Sequence, residues 1–323
     1  MITIETWQLQ QLQGLPLEVK IIKTKERIRE WYEYWNGQVY VSFSGGKDST
    51  ALLHIVRQMY PDVEAVFVDT GLEYPEIRDF VKTFYNVTWL KPKKNFRQVL
   101  SEKGYPVVSK KYSRFIRDLQ KDSKNNAATR NLRLTGYNRK GVYCSSQILP
   151  MKWRYLIDAP FKCSEECCDI MKKEPFHRYQ RQSGKYPIMG VIAEESSERE
   201  KQYKKYGCNA FDVEDPSSKP LSFWKNQDIL EYFKRYNIPY CSIYGDIVPI
   251  DQVPGQESLP GTIENLICTG CQRTGCMFCM FGVHLEQEPN RFQMMKETHP
   301  KQYDYCINNL GLGKVMDYIG VKY

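Results

Sequence analysis

The stretch from Gln38 to Pro92 constrains the fold most. QVYVSF (38–43) is a short run of β-branched and aromatic residues. A glycine-rich turn, SGGKDS (44–49), follows, and TALLHIVRQMY (50–60) carries apolar residues at helical spacing. VEAVFVDT (63–70) is a second apolar run, broken by Gly71. YPEIRDFVKTFY (74–85) is another helical pattern, and VTWLKP (87–92) a third strand. Strands that alternate with helices at this spacing build a parallel sheet, because each parallel connection must cross over the sheet. The expected class is α/β: a Rossmann-like, doubly wound, mostly parallel sheet.

Other segments extend the pattern. Residues 18–35 read as a helix with apolar positions Val19, Ile22, Ile28, Trp31 and Trp35. A further strand is expected at Ile188–Ala193, and an amphipathic helix in LSFWKNQDILEYFKRYN (221–237), with Trp224, Ile229, Leu230 and Phe233 on one side. The proline-rich segment 249–260 reads as a loop. The tail 291–320 reads as two short helices separated by Gly311 and Gly313. The 323 residues suffice for one large domain or two smaller ones. The expected division is a nucleotide-binding domain at 1–245, with a basic insertion at about 101–155, and a cysteine-rich region at 246–323.

Charge is concentrated in that insertion. The chain has net charge +8, yet residues 103–154 hold 13 Lys or Arg against Asp118 and Asp122. A local excess of this kind suits a polyanion such as a nucleic-acid backbone, or a solvated loop. Trp153 and Tyr155 lie within it and could stack on a base or fill a core. The N-terminal MITIETWQLQ has no secretion signal, and no run of 18 apolar residues suggests a membrane span. A cytoplasmic protein without membrane association is expected, with its 11 cysteines as thiols, metal ligands or catalytic groups rather than disulfides.

The turn at 44–49 is built for an anion. It joins a strand to a helix N-terminus, where backbone N–H groups lack partners. Gly45 and Gly46 let phosphate oxygens approach the main chain, Lys47 adds a compact positive charge, and Ser44 and Ser49 add hydroxyls. It is not a Walker loop: Val41 stands where that motif needs glycine.

Ser-Gly-Gly-Lys-Asp-Ser resembles the pyrophosphate-binding loop of the ATP pyrophosphatases, the adenine nucleotide alpha hydrolase-like superfamily. Three more segments are similar to its phosphoadenosine phosphosulfate reductase-like branch. VFVDTGLEYPE (66–76) resembles that branch's second strand and loop. GVIAEESSER (190–199) resembles its Gly-x-Arg-x-x-Glu-Ser-x-x-Arg signature, with Ile192 in place of the first arginine. KPLSFWKNQDILEYFKRYNIPY (219–240) resembles its Pro-Leu, Trp and Ile-Pro-Tyr pattern. The resemblance covers roughly residues 20–245 and implies ATP cleavage between the α and β phosphates. It assigns the β and γ phosphates to Lys47 and the loop backbone, and Mg²⁺ to Asp48. Asp69 and Thr70 would line the nucleotide crevice, and Glu195 and Arg199 would complete the site, with Arg199 on a phosphate oxygen.

The cysteines fall into clusters. Cys268-x₂-Cys271 and Cys276-x₂-Cys279 are two chelating pairs, suited to structural zinc or to an iron–sulfur cluster. Cys167 and Cys168 are adjacent. A vicinal pair with a distant Cys-x₂-Cys resembles the cluster-bearing adenylylsulfate reductases. That implies a 4Fe-4S cluster on Cys167, Cys168, Cys276 and Cys279, with Cys271 as an alternative to Cys167. Cys144 and Cys163 are candidates to carry sulfur, if Lys152, Arg154 and Lys162 lower a thiol pKa.

Three functions fit. The first is an ATP pyrophosphatase that adenylates its substrate, expected to be a nucleic acid as in tRNA thiolation or DNA phosphorothioation, and then transfers sulfur to it. A cysteine desulfurase is then a possible donor and a homodimer the default assembly. The second is a sulfonucleotide reductase. Those enzymes share a C-terminal Glu-Cys-Gly-(Leu/Ile)-His sequence where this chain reads DYIGVKY, and their loop usually lacks Gly-Lys-Asp. The third is a non-catalytic nucleotide- and zinc-binding module. The retained Lys47 favours the first.

Overall fold

The computed structural model describes residues 4–121, 123–252 and 265–323. Most of the proline-rich segment 249–260 lies outside the described residues. Contacts group the chain into two compact units. Unit 1 holds Met1–Asp69, Glu73–Lys91 and Phe176–Thr274; unit 2 holds Thr70–Leu72, Pro92–Pro175 and Gly275–Tyr323. This grouping differs from a division at residue 245. It puts 246–274 with the sheet and the basic stretch with the C-terminal residues.

Unit 1 is an α/β sheet of the expected Rossmann-like class. Its strands are β1 (Val39–Ser42), β2 (Ala65–Val68), β3 (Val87–Leu90), β4 (Tyr186–Met189), β5 (Asn209–Ala210) and β6 (Ser217–Ser218). The order is β3-β2-β1-β4-β6-β5, parallel throughout except for the β5–β6 pair. The chain leaves β1 toward β2 on one side and returns at β4 on the other. β1 is therefore the switch point, and a crevice opens at the carboxyl ends of β1 and β4. A small antiparallel ribbon, β7 (Ile247–Pro249) with β8 (Leu266–Cys268), completes unit 1.

Two local expectations need correction. The strand near 188 starts earlier and stops at Met189; Gly190 then passes the helix Lys47–Met59 so closely that a Cβ there would sit 2.8 Å from the Asp48 carbonyl oxygen. The first long helix, Leu17–Tyr34, buries Leu17, Lys20, Ile21, Thr24, Ile28 and Trp31, while Val19 and Ile22 face outward. Polar pairing allows this face. Lys20, 1% exposed, reaches Asp228 at 2.6 Å, and the Trp224 indole N–H donates to the Thr24 hydroxyl at 2.9 Å. Removing such a partner leaves a buried charge or dipole without compensation.

Unit 2 contains helices the sequence rhythm obscures. Lys110–Gln120 is one, capped by the Ser109 hydroxyl, which accepts from the Tyr112 N–H at 3.2 Å; it buries Phe115, Ile116 and Leu119. Its basic residues occupy the other face, which is why charge density masked it. Ala127–Thr135 follows. The tail forms Arg291–Thr298, Pro300–Asp304, a wider turn at Tyr305–Asn309, and Leu312–Tyr318. Gly311, with φ +73°, makes the expected break, but Gly313 lies within the last helix and Pro300 starts an additional one. Among the described residues no helix is long and apolar enough to cross a membrane.

Candidate functional site: a phosphate loop and a four-thiol cavity

The loop after β1 meets the N-terminus of the helix Lys47–Met59 at the switch point of unit 1. Gly45 adopts φ +71°, and a Cβ there would strike Val81 and Ile77 at 2.8 and 2.9 Å. Only glycine fits both constraints. The loop is braced internally. The Ser49 hydroxyl donates to the Gly46 carbonyl at 2.9 Å and accepts from the Ser44 N–H at 3.1 Å. The N-cap residue, Gly46, has no side chain to cap the helix, and the positive end of the helix dipole lies at the crevice.

A polar cavity of about 180 Å³ opens there. Loop residues Ser44 and Gly46–Ser49 form its floor, and Gly190, Glu195 and Arg199, which follow β4, form one wall. Tyr244, Arg273 and Thr274 form its roof. The Lys47 ammonium donates to the Gln272 carbonyl at 3.0 Å, and its backbone N–H to the Tyr244 hydroxyl at 3.1 Å. Tyr244 and Thr274 join hydroxyls at 2.6 Å. Glu195 pairs with Arg199 and, at 2.7 Å, with Arg273. Three cations thus face two carboxylates, a balance that suits an anionic ligand.

Asp48 is the unusual member. Its Oδ1 is buried and has no hydrogen-bond partner among the described residues. Burial raises its pKa, opposed by the cations of Lys47, Arg199 and Arg273. A buried carboxylate oxygen without a partner is costly unless a cation takes it up.

The remaining expectations for this crevice divide. Ser44, Gly46, Lys47, Asp48, Ser49, Glu195 and Arg199 line the cavity; Asp69 and Thr70 do not. Asp69, at the end of β2, pairs with Arg78 at 2.8 Å. The Thr70 hydroxyl accepts from the Leu72 N–H at 3.2 Å within unit 2. Tyr244, Gln272, Arg273 and Thr274 were not anticipated. Gln272, Arg273 and Thr274 stand between the two cysteine pairs and Tyr244 well before them, about 200 residues or more after the loop, with no motif of their own.

Unit 2 gathers four thiols. Cys167, Cys168, Cys276 and Cys279 line one cavity, with Leu72, Phe96 and Met171 among its apolar walls. The Cys167 and Cys168 sulfurs are 4.0 Å apart. The Cys168 thiol falls to about 6, chiefly because the Cys167 thiol hydrogen-bonds to it, with help from Lys110 and Lys172. The same coupling raises Cys167. Burial raises Cys279. Among the described residues no three His, Cys, Asp or Glu side chains already converge on a single ion.

Cys271 is not part of this set. Main-chain bonds from Cys271 to Ile243 and from Gly270 to Tyr244, both 2.9 Å, hold it in unit 1. Its thiol donates to the Arg273 carbonyl at 2.9 Å. Cys163 is corrected as a sulfur carrier: it is fully buried, and burial pushes its thiol up to about 12. The expected activating cation Arg154 is engaged with the Leu134 carbonyl at 2.7 Å. Cys144 is partly exposed, its thiol 3.9 Å from the Val142 carbonyl.

The chain is similar to several known proteins. The uncharacterized protein MJ0973 of Methanocaldococcus jannaschii is 38% identical over 92 residues, 26% of this chain and 22% of that protein. The chain therefore spans under a quarter of that relative's length. An adenosine 5'-phosphosulfate reductase of Staphylococcus haemolyticus is 21% identical over 276 residues, 81% of this chain and 87% of that enzyme. Among solved structures, the U34-tRNA thiolase NcsA of Methanococcus maripaludis with its [4Fe-4S] cluster is similar at 14% identity and a TM-score of 0.34, over 69% of this chain and 66% of that one. The sequence model of the phosphoadenosine phosphosulfate reductase domain matches residues 38–141 and 144–281, and with three quarters of its length inside that match the chain belongs to this family.

Proposed function

We propose that this protein splits ATP between the α and β phosphates, adenylates a nucleic-acid substrate, tRNA or DNA, and exchanges the activated oxygen for sulfur. The observation that carries this reading is that Lys47 and the buried, unpartnered Asp48 carboxylate oxygen belong to one polar cavity. A hard oxygen donor of that kind fits Mg²⁺. When bound, Mg²⁺ would neutralise charge on the phosphates.

The chain's own groups account for the first step. A substrate oxygen attacks the α phosphorus, and the bond from that phosphorus to the bridging oxygen breaks. Pyrophosphate leaves with the bond's electrons. Lys47 and the N–H groups of the helix start would hold it, and Arg199 and Arg273 would face its outer oxygens. A sulfur nucleophile then forms its bond to the activated atom of the substrate, and AMP leaves with the oxygen.

The four thiols of unit 2 suit a 4Fe-4S cluster or zinc, both of which take thiolate donors. When bound, a cluster would supply a place to hold the sulfur that is transferred. Lys110 and Lys172 favour the Cys168 thiolate that either ligand requires. A cysteine desulfurase is the proposed source of sulfur, with a thiol reductant supplying the two electrons that bring its sulfane sulfur to the sulfide level, the thiol leaving as disulfide.

A second reading is a sulfonucleotide reductase, favoured by the reductase relative that aligns with 81% of this chain. It uses the same thiols but has no need for Lys47 and Asp48. The test is anaerobic purification, with iron, zinc and acid-labile sulfide measured per chain. ATP is then supplied with tRNA or DNA, and pyrophosphate is measured. Pyrophosphate release dependent on either nucleic acid supports transfer. Release of sulfite from adenylylated sulfate with a dithiol reductant supplied, which leaves as disulfide, and without ATP cleavage, supports the reductase. Zinc without sulfide and no turnover would leave a nucleotide- and zinc-binding module.

A further inference from the structure

The basic stretch is less free than its composition suggests. Arg117 is bound to Glu165 and Glu166, and Arg133 to Asp118. Arg130 and Arg154 donate to main-chain carbonyls. Of the two rings that sequence offered for stacking, Trp153 is buried and Tyr155 is 41% exposed, its ring beside that of Tyr318. The hairpin Tyr137–Cys144 faces outward and carries both exposed rings and exposed cations.

This hairpin is tightly braced although it buries little of itself. The Cys144 N–H donates to the Gly136 carbonyl at 2.8 Å, and the Asn138 N–H to the Val142 carbonyl at 3.0 Å. The Asn138 side chain accepts from the Lys140 and Val142 N–H groups at 2.9 and 3.0 Å. Gly136, at φ +87°, leaves room for the Tyr143 ring, which a Cβ would meet at 2.8 Å. Tyr137 and Tyr143 are nevertheless 49% and 56% exposed, with ring centroids 5.3 Å apart. Arg139 and Lys140 sit at the tip, exposed, and form no ion pair among the described residues.

Two exposed rings fixed in place by a rigid turn, with unpaired cations between them in sequence, match what single-stranded nucleic acid requires. Bases stack on the rings regardless of sequence, and phosphates meet the cations. We propose that the Tyr137–Cys144 hairpin is a binding site for single-stranded nucleic acid, with Tyr137 and Tyr143 stacking on bases and Arg139 and Lys140 contacting phosphates. This deepens the functional reading above and rests on it only for the claim that the bound strand is also the acceptor.

The test uses the full chain and fluorescence anisotropy with labelled RNA and DNA single strands of roughly 20 nucleotides, longer than the ~4–16 such sites usually cover. A duplex of the same sequence is the third probe. Tyr137→Ala and Tyr143→Ala are each expected to weaken single-strand binding by roughly 5- to 150-fold. Phe at either position is expected to restore it, because the ring is what stacks. Arg139→Ala with Lys140→Ala should flatten the dependence of log affinity on log salt by about 0.7 per lost contact. RNA and DNA arms show which strand is preferred. Alanine variants that bind like the wild type would overturn the proposal. So would a wild type that binds no single strand, or poly-glutamate competing as well as the oligonucleotide, which would mark an acidic protein surface. Pyrophosphate release is measured on the same preparations. Binding without ATP cleavage sinks the proposed reaction and leaves the hairpin site. ATP cleavage without strand binding sinks the hairpin site alone.

Discussion

Lys47→Ala is the perturbation that bears most directly on the chemistry. The ammonium is buried against the cavity, anchored at 3.0 Å by the Gln272 carbonyl, and faces the space where phosphate would lie. At about 4 Å and an effective dielectric near 20, one unit charge contributes roughly 4 kcal/mol. Arg199 and Arg273 remain in the variant and offset part of that loss. Removing a single preorganised donor to a developing oxyanion costs about 10²–10³ in kcat. The two routes agree, so pyrophosphate release should fall roughly 100- to 1000-fold, or about 3–4 kcal/mol in the barrier. The structural cost is small, because the lost hydrogen bond to Gln272 is worth about 1 kcal/mol. Thermal melting of the variant should therefore shift by only a few degrees, which separates lost chemistry from lost fold. The assay is pyrophosphate release at saturating ATP and acceptor. A folded variant that keeps more than about a tenth of the wild-type rate would refute the role given to Lys47.

Four further outcomes follow from the same geometry. Asp48 has a raised pKa, so on the acid side a proton competes with Mg²⁺ for its carboxylate. The acid limb of the rate profile should then move to lower pH as Mg²⁺ is increased, and should lose that dependence in Asp48→Asn; a limb that ignores Mg²⁺ contradicts the assignment. Cys276→Ser should sharply reduce bound iron or zinc, whereas Cys271→Ser, in unit 1, should leave metal content within about a tenth of wild type by elemental analysis. Lys20→Ala should cost about 3–5 kcal/mol in denaturant unfolding by leaving Asp228 buried and unpaired, while Lys20→Met with Asp228→Leu should recover most of it. Tyr244→Phe deletes the hydroxyl that accepts from the Lys47 N–H and joins Thr274; it should weaken pyrophosphate inhibition several-fold, read from the inhibition constant, without changing metal content.

The sequence alone determined the α/β class. Short apolar runs separated by helical patterns leave the parallel sheet as the economical arrangement, and β1, β2 and β3 fall where those runs are. It also marked the loop that lines the polar cavity, because glycine, lysine and hydroxyl residues between a strand and a helix are a local signal. Local signals failed where burial reversed them. Lys20 and Thr24 occupy the inner face of the first long helix and Ile22 the outer, since Asp228 and Trp224, some 200 residues away, supply their partners. Basic residues hid the helix Lys110–Gln120 for the same reason, its apolar stripe being narrow beside its charge.

Which cysteines act together was a tertiary decision. Spacing made Cys268, Cys271, Cys276 and Cys279 look like one group. Main-chain bonds hold Cys271 to Ile243 within unit 1, while Cys276 and Cys279 line one cavity with the vicinal pair within unit 2. The same holds for the roof of the phosphate cavity. Tyr244, Arg273 and Thr274 carry no signature of their own, and hydrogen bonds formed only after the chain returns to β1 give them a role. Sequence records residue chemistry and short-range spacing; contacts between residues hundreds of positions apart depend on sheet order and packing, which only the folded chain specifies.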